Sequence, residues 1–385
     1  MSIAEQPVSL VGLARGLQGA TLEESRRTME ICNACRYCEG YCAVFPAMEL
    51  HRSFSNRDLV HLANLCHGCK GCFYACQYAP PHEFGLNLPK VFAELRRESY
   101  EHHAWPGALA GLFQKNGLFV SLATGLLLIA VMLLSALLVD PQALFGVNRG
   151  PGSFYAVIPY EVMVALGSLS FGYAVLALVM GLRNYWRESG AKQVGGKALA
   201  LGLHDALTLR HLSGGGHGCN DTHEGFTQSR RWLHQAMMWG FLLSFASTSV
   251  ATIYDHVFGW IAPYSWYSAP VVLGTLGGFG LTIGSGGLFW MKFKTDPEPT
   301  AQRNFGMDMG LLAQLFLVAV TGLALLFFRH TSAMGMLLVI HLGFVLALFV
   351  SLPYGKFVHG LYRFAALVRH HADQRAASQE EGSAS

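Results

Sequence analysis

Charge is scarce in this chain. Only 13% of its 385 residues are Asp, Glu, Lys or Arg, where a soluble protein carries about a quarter. The deficit falls after about residue 106, so it marks a membrane domain and not a uniformly apolar protein. The charges present nearly cancel, and a net charge of +3 gives nucleic acid no footing. No leader segment precedes the first cysteines, which argues against a disulfide-stapled secreted chain. Nothing in the sequence resembles the output domain of a sensor, so a signalling role ranks last.

Against these absences stand nine cysteines, eight of them in two runs of identical spacing. Cys32, Cys35, Cys38 and Cys42 form the first, and Cys66, Cys69, Cys72 and Cys76 the second. Each reads C-x2-C-x2-C-x3-C, with an offset of 34 residues between counterparts. This is the spacing of a two-cluster ferredoxin, in which the fourth cysteine of each run serves the other cluster. The rule predicts one 4Fe-4S cluster on Cys32, Cys35, Cys38 and Cys76, and a second on Cys66, Cys69, Cys72 and Cys42. Zinc more often takes separate C-x2-C pairs. Ferredoxin runs often place proline directly after the last cysteine. Here Ala43 and Gln77 follow, and Pro46 and Pro80 come four residues after the run in both repeats. That shared offset supports an internal duplication. Cys219 stands alone and reads as an ordinary buried or loop thiol. Eight cluster cysteines must stay reduced during assembly, which favours the cytoplasmic side of a membrane.

The organisation that follows is mainly α: a two-cluster, ferredoxin-like helical module over residues 1–105, then a six-helix transmembrane bundle over 106–385. Residues 1–30 are polar, a flexible start and a short helix. Leu59, Leu62 and Leu65 recur at helical spacing between the cysteine runs. Residues 88–104 read as an amphipathic helix that either lies on the membrane surface or finishes the module. Pro106 and Gly107 mark the boundary. Six apolar segments then fall near 117–139, 157–182, 233–256, 268–291, 309–328 and 333–353, each about the 20 residues a bilayer needs. The fourth is rich in glycine and serine, which lets helices pack closely in lipid.

Positive residues set the expected orientation. Arg183, Arg187, Lys192, Lys197, Arg210, Arg230 and Arg231 lie between the second and third spans. Lys292, Lys294 and Arg303 lie between the fourth and fifth, and Lys356, Arg363, Arg369 and Arg375 follow the sixth. The opposite connections hold only Arg149 and Arg329. Both termini and the cysteine module are therefore expected in the cytoplasm, on a bacterial-type inner membrane.

Most of the 17 histidines need no special role. His102, His103, His370 and His371 are expected to be solvated, and His67 to tune the second cysteine run. His204, His211, His217 and His223 sit in a glycine-rich connection that is either a docking or quinone-site loop or a plain flexible one. Four others lie at the ends or inside of spans, where a polar group is costly and usually functional. His341 and His359 are 18 residues apart, five helical turns or about 27 Å. His234 and His256 are 22 apart, about 33 Å and about 40° off one face. Pairing by depth joins His234 with His359 on the inner side and His256 with His341 on the outer side. Each pair offers the two axial imidazoles of a b-type haem, giving one or two haems. The roughly 6 Å mismatch in spacing weakens the outer pair. No C-x-x-C-H occurs, so covalent c-type haem is not expected.

Two resemblances rest on these residues. The stretch HLGFVLALFVSLPYGKFVH, His341 to His359, resembles the last haem-binding helix of the membrane cytochrome b subunits of respiratory nitrate reductases. In that family an earlier helix carries two histidines about three turns apart, and Ser244 stands at that distance from His234 here. Almost end to end, the chain resembles the tricarballylate or citrate utilization protein B family. The two cysteine runs carry that likeness, with LSGGGHGCND, FTQSRRWLHQAMMWGFLLSFASTSVATIYDH, APVVLGTLGGFGL and LPYGKFVHGLYRF. The resemblance implies a membrane electron-transfer subunit that reoxidises the reduced flavin of a partner FAD-dependent dehydrogenase and delivers electrons to the quinone pool. Whether it counts as an enzyme in its own right is open, since no substrate chemistry is implied in this chain. A related sequence forms half of a fused flavohaemoprotein of cobalamin biosynthesis, so the alternative is a redox accessory to a flavoprotein oxygenase. Both imply a flavoprotein, and with no G-x-G-x-x-G after a strand the flavin is expected on another polypeptide. Lys356 and the basic 210–231 loop are further candidates for quinone or an acidic partner.

Overall fold

A computed structural model describes residues 19–191, 194–222 and 224–384. The first 18 residues, Lys192, Gln193, His223 and Ser385 lie outside those ranges. Among the described residues there is no strand, and one isolated bridge pairs Cys219 with Thr227.

The N-terminal module is built from helices too short and too charged to cross a bilayer. Helix α1 is Ala20–Cys35, α2 Val44–Glu49, α3 Asn56–Leu65, α4 Gly71–Tyr74 and α5 Leu88–His103. Local chemistry sets their ends. Ser55 caps α3 in a reciprocal capping box with Asp58, and the Asn87 side chain accepts from the Lys90 amide, 3.3 Å away, to start α5. The apolar stripes of these helices meet in one core that includes Met29, Met48, Leu59, Leu62, Phe92 and Leu95. Phe92 and Leu95 are fully buried there, so α5 completes the module and does not lie on the membrane surface.

Among the described residues, six helices long and apolar enough to span a membrane follow: Asn116–Leu138, Tyr160–Ser189, Ser229–His256, Ala269–Lys294, Gln302–Phe328 and Met334–Tyr354. Their α-helical parts are α6 (Asn116–Leu138), α8 (Tyr160–Ser189), α10 (Ser229–His256), α11 (Ala269–Lys294), α12 (Phe305–Phe328) and α13 (Met334–Ser351). The short α7 (Pro141–Phe145) and the polar α9 (Gly196–Thr208) lie between them, and α14 (Val358–Ala384) ends the chain. The second span runs to Ser189, past the expected 182, because charged residues such as Arg183 and Arg187 continue a helix readily and it stops only at the left-handed Gly190. The first span starts where the last one ends: the Asn116 side chain donates to the Tyr354 carbonyl at 2.5 Å.

Helices α10 and α11 pack very closely, and glycine makes it so. A Cβ added at Gly284 would lie 2.3 Å from the Met237 amide nitrogen. Only backbone without side chains can approach that far. Helix α14 joins the two parts. Tyr362, Ala365, Ala366 and Leu367 on its inner face belong to the module core, and Arg369 bonds Asp58 of α3 at 2.9 Å. This packing overturns the expected solvation of the paired histidines. His103 and His370 are buried, at 2% and 4% exposure, because α5 lies against α8 and α14 lies against α9.

Candidate functional site

Each cysteine run follows the end of a helix. Cys32 and Cys35 end α1, and Cys66 caps the C-terminus of α3. The residue after the second cysteine is left-handed in both, Arg36 at φ 55° and Lys70 at φ 63°, so the repeat in sequence is also a repeat in backbone. Folding brings the thiols together across the two runs. Cys32 is crowded by Cys76, Cys38 and Cys35, and burial followed by that crowding pushes its pKa up to about 12. Cys42 is pushed well above the ordinary thiol value by burial, then by Cys69 and Cys66. Cys72 is raised in the same way, by burial and then Cys69, Cys66 and Cys42. The eight thiols are free of disulfides, and five of them, Cys32, Cys38, Cys42, Cys69 and Cys72, have their pKa raised chiefly by burial, so a bound cationic metal would be needed to hold them together as thiolates. The donor set fits iron–sulfur clusters. The Gln77 amide approaches Cys35 Sγ at 3.6 Å, a contact of the kind that tunes a cluster's potential.

The second run is held by guanidinium groups from three helices. Arg96 donates to the Ala63 and Cys66 carbonyls at 2.9 and 2.8 Å. Arg363 reaches the same Cys66 carbonyl at 2.8 Å, and Arg230 reaches the Gly68 carbonyl at 2.6 Å. The glycine-rich connection is seated here as well. The Asn220 amide donates to the Cys69 carbonyl at 2.9 Å, and Cys219 is fully buried behind it.

These groups form one wall of a cavity of about 170 Å³ at the module's face of the bundle. His67, Gly68 and Lys70 of the second run line it on one side, and His234 and His359 on the other. The two rings lie 6.1 Å apart between centroids, nearly perpendicular. The His359 Nδ1–H donates to the Lys356 carbonyl at 2.5 Å, which leaves Nε2 with its lone pair. Burial, then Arg363 and Lys356, holds the His359 pKa well below its ordinary value, so the ring is neutral. His234 Nδ1 is buried with no hydrogen-bond partner. Six cations, Lys70, Arg96, Arg230, Lys292, Lys356 and Arg363, face two acids, Asp221 and Asp308, around this cavity. Two imidazoles meeting in a cationic cavity fit a haem with its two carboxylates. Lys356 is lowered to about 8 by burial, partly opposed by Asp308, whose carboxylate lies 2.8 Å from its Nζ and also bonds Lys292.

The outer histidines keep separate company. His341 Nδ1 meets Thr321 Oγ1 at 3.1 Å, and its ring fills the space beside Gly322. His256 is half exposed, with Nε2 3.0 Å from the Tyr160 hydroxyl and Nδ1 donating to the Thr252 carbonyl at 3.1 Å. Both His256 nitrogens are thus engaged without His341. Ser244 gives no replacement. It packs so near Gly277 that a Cβ there would lie 2.6 Å from Ser244 Oγ, leaving no room for an imidazole.

Asp308, Asp221, Arg96 and Lys70 line the cavity and were not singled out by sequence. Asp308 had a signal, being the single charged residue of α12. The others lie in ordinary charged stretches.

Residues 25–102 match the family model described as the citrate utilization protein B Fer4-like domain. Residues 112–380 match the model for citrate utilization protein B. Citrate utilization protein B of Escherichia coli is 45% identical over 362 residues, which cover 92% of this chain and 93% of that protein. No solved structure matches.

Proposed function

Because the chain belongs to the citrate utilization protein B family and carries its Fer4-like domain, we propose that it is a membrane electron-transfer protein serving citrate or tricarballylate utilization. It reoxidises the reduced flavin of a partner dehydrogenase and passes the electrons to quinone. Cys32, Cys35, Cys38 and Cys76 hold one 4Fe-4S cluster, and Cys66, Cys69, Cys72 and Cys42 the other. His234 and His359 hold one b-type haem. Clusters and haem supply one-electron carriers between a two-electron donor and a two-electron acceptor.

The observation that carries this reading is the shared cavity. Its walls are the start of the second cysteine run and the facing His234 and His359 rings. The chain's own residues do the rest. Arg96, Arg230 and Arg363 fix the backbone of the second run and offer positive charge to a carboxylated ligand. The Lys356 carbonyl fixes the tautomer of His359. Lys292 and Lys356 both pair with the Asp308 carboxylate at the cavity wall. The Lys and Arg residues concentrated at this end support a cytoplasmic placement in a bacterial inner membrane.

A reduced-minus-oxidised optical spectrum of the detergent-purified protein, with iron and haem counted per chain, tests the assignment. A b-type signal with one haem and eight non-haem irons is expected. Eight irons with no haem would remove the role given to His234 and His359. Mixing with the reduced dehydrogenase and a quinone analogue tests the reaction itself, and no quinone reduction would refute it.

A further inference from the structure

Away from the cavity, a second group of ligating side chains joins the module to the membrane domain. His102 and His103 end α5, and Glu188 lies in the last turn of α8. His102 Nε2 is 2.9 Å from Glu188 Oε2, and His103 Nε2 is 3.1 Å from the same oxygen. One ligand atom from each of the three residues lies within 4.8 Å of the others. From these contacts we propose that His102, His103 and Glu188 bind a divalent transition cation of the zinc class, which clamps α5 to α8.

The hydrogen bonding of His103 carries the argument. Its Nδ1 lies 2.6 Å from the Ser99 carbonyl, an acceptor only, so Nδ1 holds the ring proton. In a neutral ring, Nε2 then points a lone pair at a carboxylate oxygen. Two lone pairs facing each other at this distance need a cation between them. A backbone carbonyl on the far nitrogen is also the usual outer support of a metal-bound histidine. The ring is held in place: it meets Tyr185 edge-on with centroids 5.4 Å apart, and the Asn184 amide donates to the His103 carbonyl at 3.3 Å. The two measured N···O separations approach the roughly 3.3 Å edge of a tetrahedron with zinc bonds of about 2.0–2.1 Å. His103 is buried while His102 and Glu188 are partly exposed, so the fourth position opens towards solvent and takes water. Two imidazoles and one carboxylate are ordinary ligands for zinc.

The test uses the full-length protein in detergent with its iron already bound. It is dialysed against chelator, titrated with zinc, desalted and analysed for zinc and iron together. One zinc per chain is expected. His103→Gln and Glu188→Gln should each weaken its binding by at least about 10–100-fold while iron per chain and elution volume stay unchanged. X-ray absorption at the zinc edge should show nitrogen and oxygen neighbours and no sulfur. Zinc should also slow amide exchange near residues 99–104 and 184–189. Equal zinc uptake by wild type and Glu188→Gln would overturn the proposal, leaving a proton on His103 as the bridging cation. Zinc with sulfur neighbours, lost only on cysteine substitution, would overturn it as well.

Discussion

Substituting Gly240 with alanine replaces a hydrogen with a methyl group at the tight crossing of α10 and α11. The new Cβ would sit 2.4 Å from the Leu281 amide nitrogen and 2.8 Å from the Gly277 carbonyl oxygen. Ordinary contact begins at 3.4 Å, so α10 and α11 must separate by about 1 Å. The obstructing atoms are backbone and cannot rotate aside. Overpacking a close contact costs about 1–3 kcal/mol, and the rigidity of this one places it at the upper end. At about 3 kcal/mol the folded population falls on the order of 100-fold relative to the unfolded. For a chain of this size the midpoint drops on the order of 5 °C. The assay is the temperature at which half of the detergent-purified protein loses its monodisperse elution peak. Gly125→Ala is the control, since a Cβ there meets nothing within 4 Å, and it should stay within about 1 kcal/mol of wild type. Equal midpoints for the two variants would refute the reasoning. His234 lies six residues before Gly240 on the same helix, so the destabilised variant should also lose haem more readily than the control.

Other perturbations have equally direct readouts. Cys76→Ala and Cys42→Ala should each remove four irons from a different cluster, with distinct changes in the low-temperature EPR spectrum; identical spectra would refute the crossed assignment. His359→Ala should abolish the haem signal and leave the eight irons, whereas His256→Ala should leave both; a haem lost in the second variant would restore the outer site. Asp308→Asn leaves Lys292 and Lys356 without their shared acid, and loss of one member of a buried ion pair costs about 3–5 kcal/mol, read as a lowered thermal midpoint. Burial raises the Asp58 carboxyl, but hydrogen bonds from Ser55 and Arg369 outweigh it, and the net pKa lies below 3.8. Its stabilisation is therefore complete above about pH 4 and is lost as pH falls through the lowered folded value. Asp58→Asn should be less stable at neutral pH and show a shallower decline below about pH 4; parallel acid curves would refute this.

The sequence by itself determined the elements whose chemistry is local. A run of about 20 apolar residues has no other stable home than a spanning helix, so all six spans were legible, although the second runs on to Ser189 and the fifth starts at Gln302, well outside the apolar segments expected at 157–182 and 309–328. The 34-residue offset between the cysteine runs is likewise a local signature, and it recurs in the left-handed residue after the second cysteine of each run. Periodicity on α5 announced one apolar face but not its counterpart, because a stripe does not say what covers it. Only the tertiary structure decided that the counterpart is the module core, and that α14 returns to share it. For that reason His103 and His370 are buried despite their charged neighbours in sequence. Histidine depth could be counted along a helix, but the approach of His234 to His359 depends on where α14 starts beside α10, and the separate partner of His256 on where α8 starts beside the other end of α10. Arg96, Arg230 and Arg363 come from three distant segments to one loop. No spacing rule relates such residues, since their meeting is fixed by packing between helices and not by the pitch of any one of them.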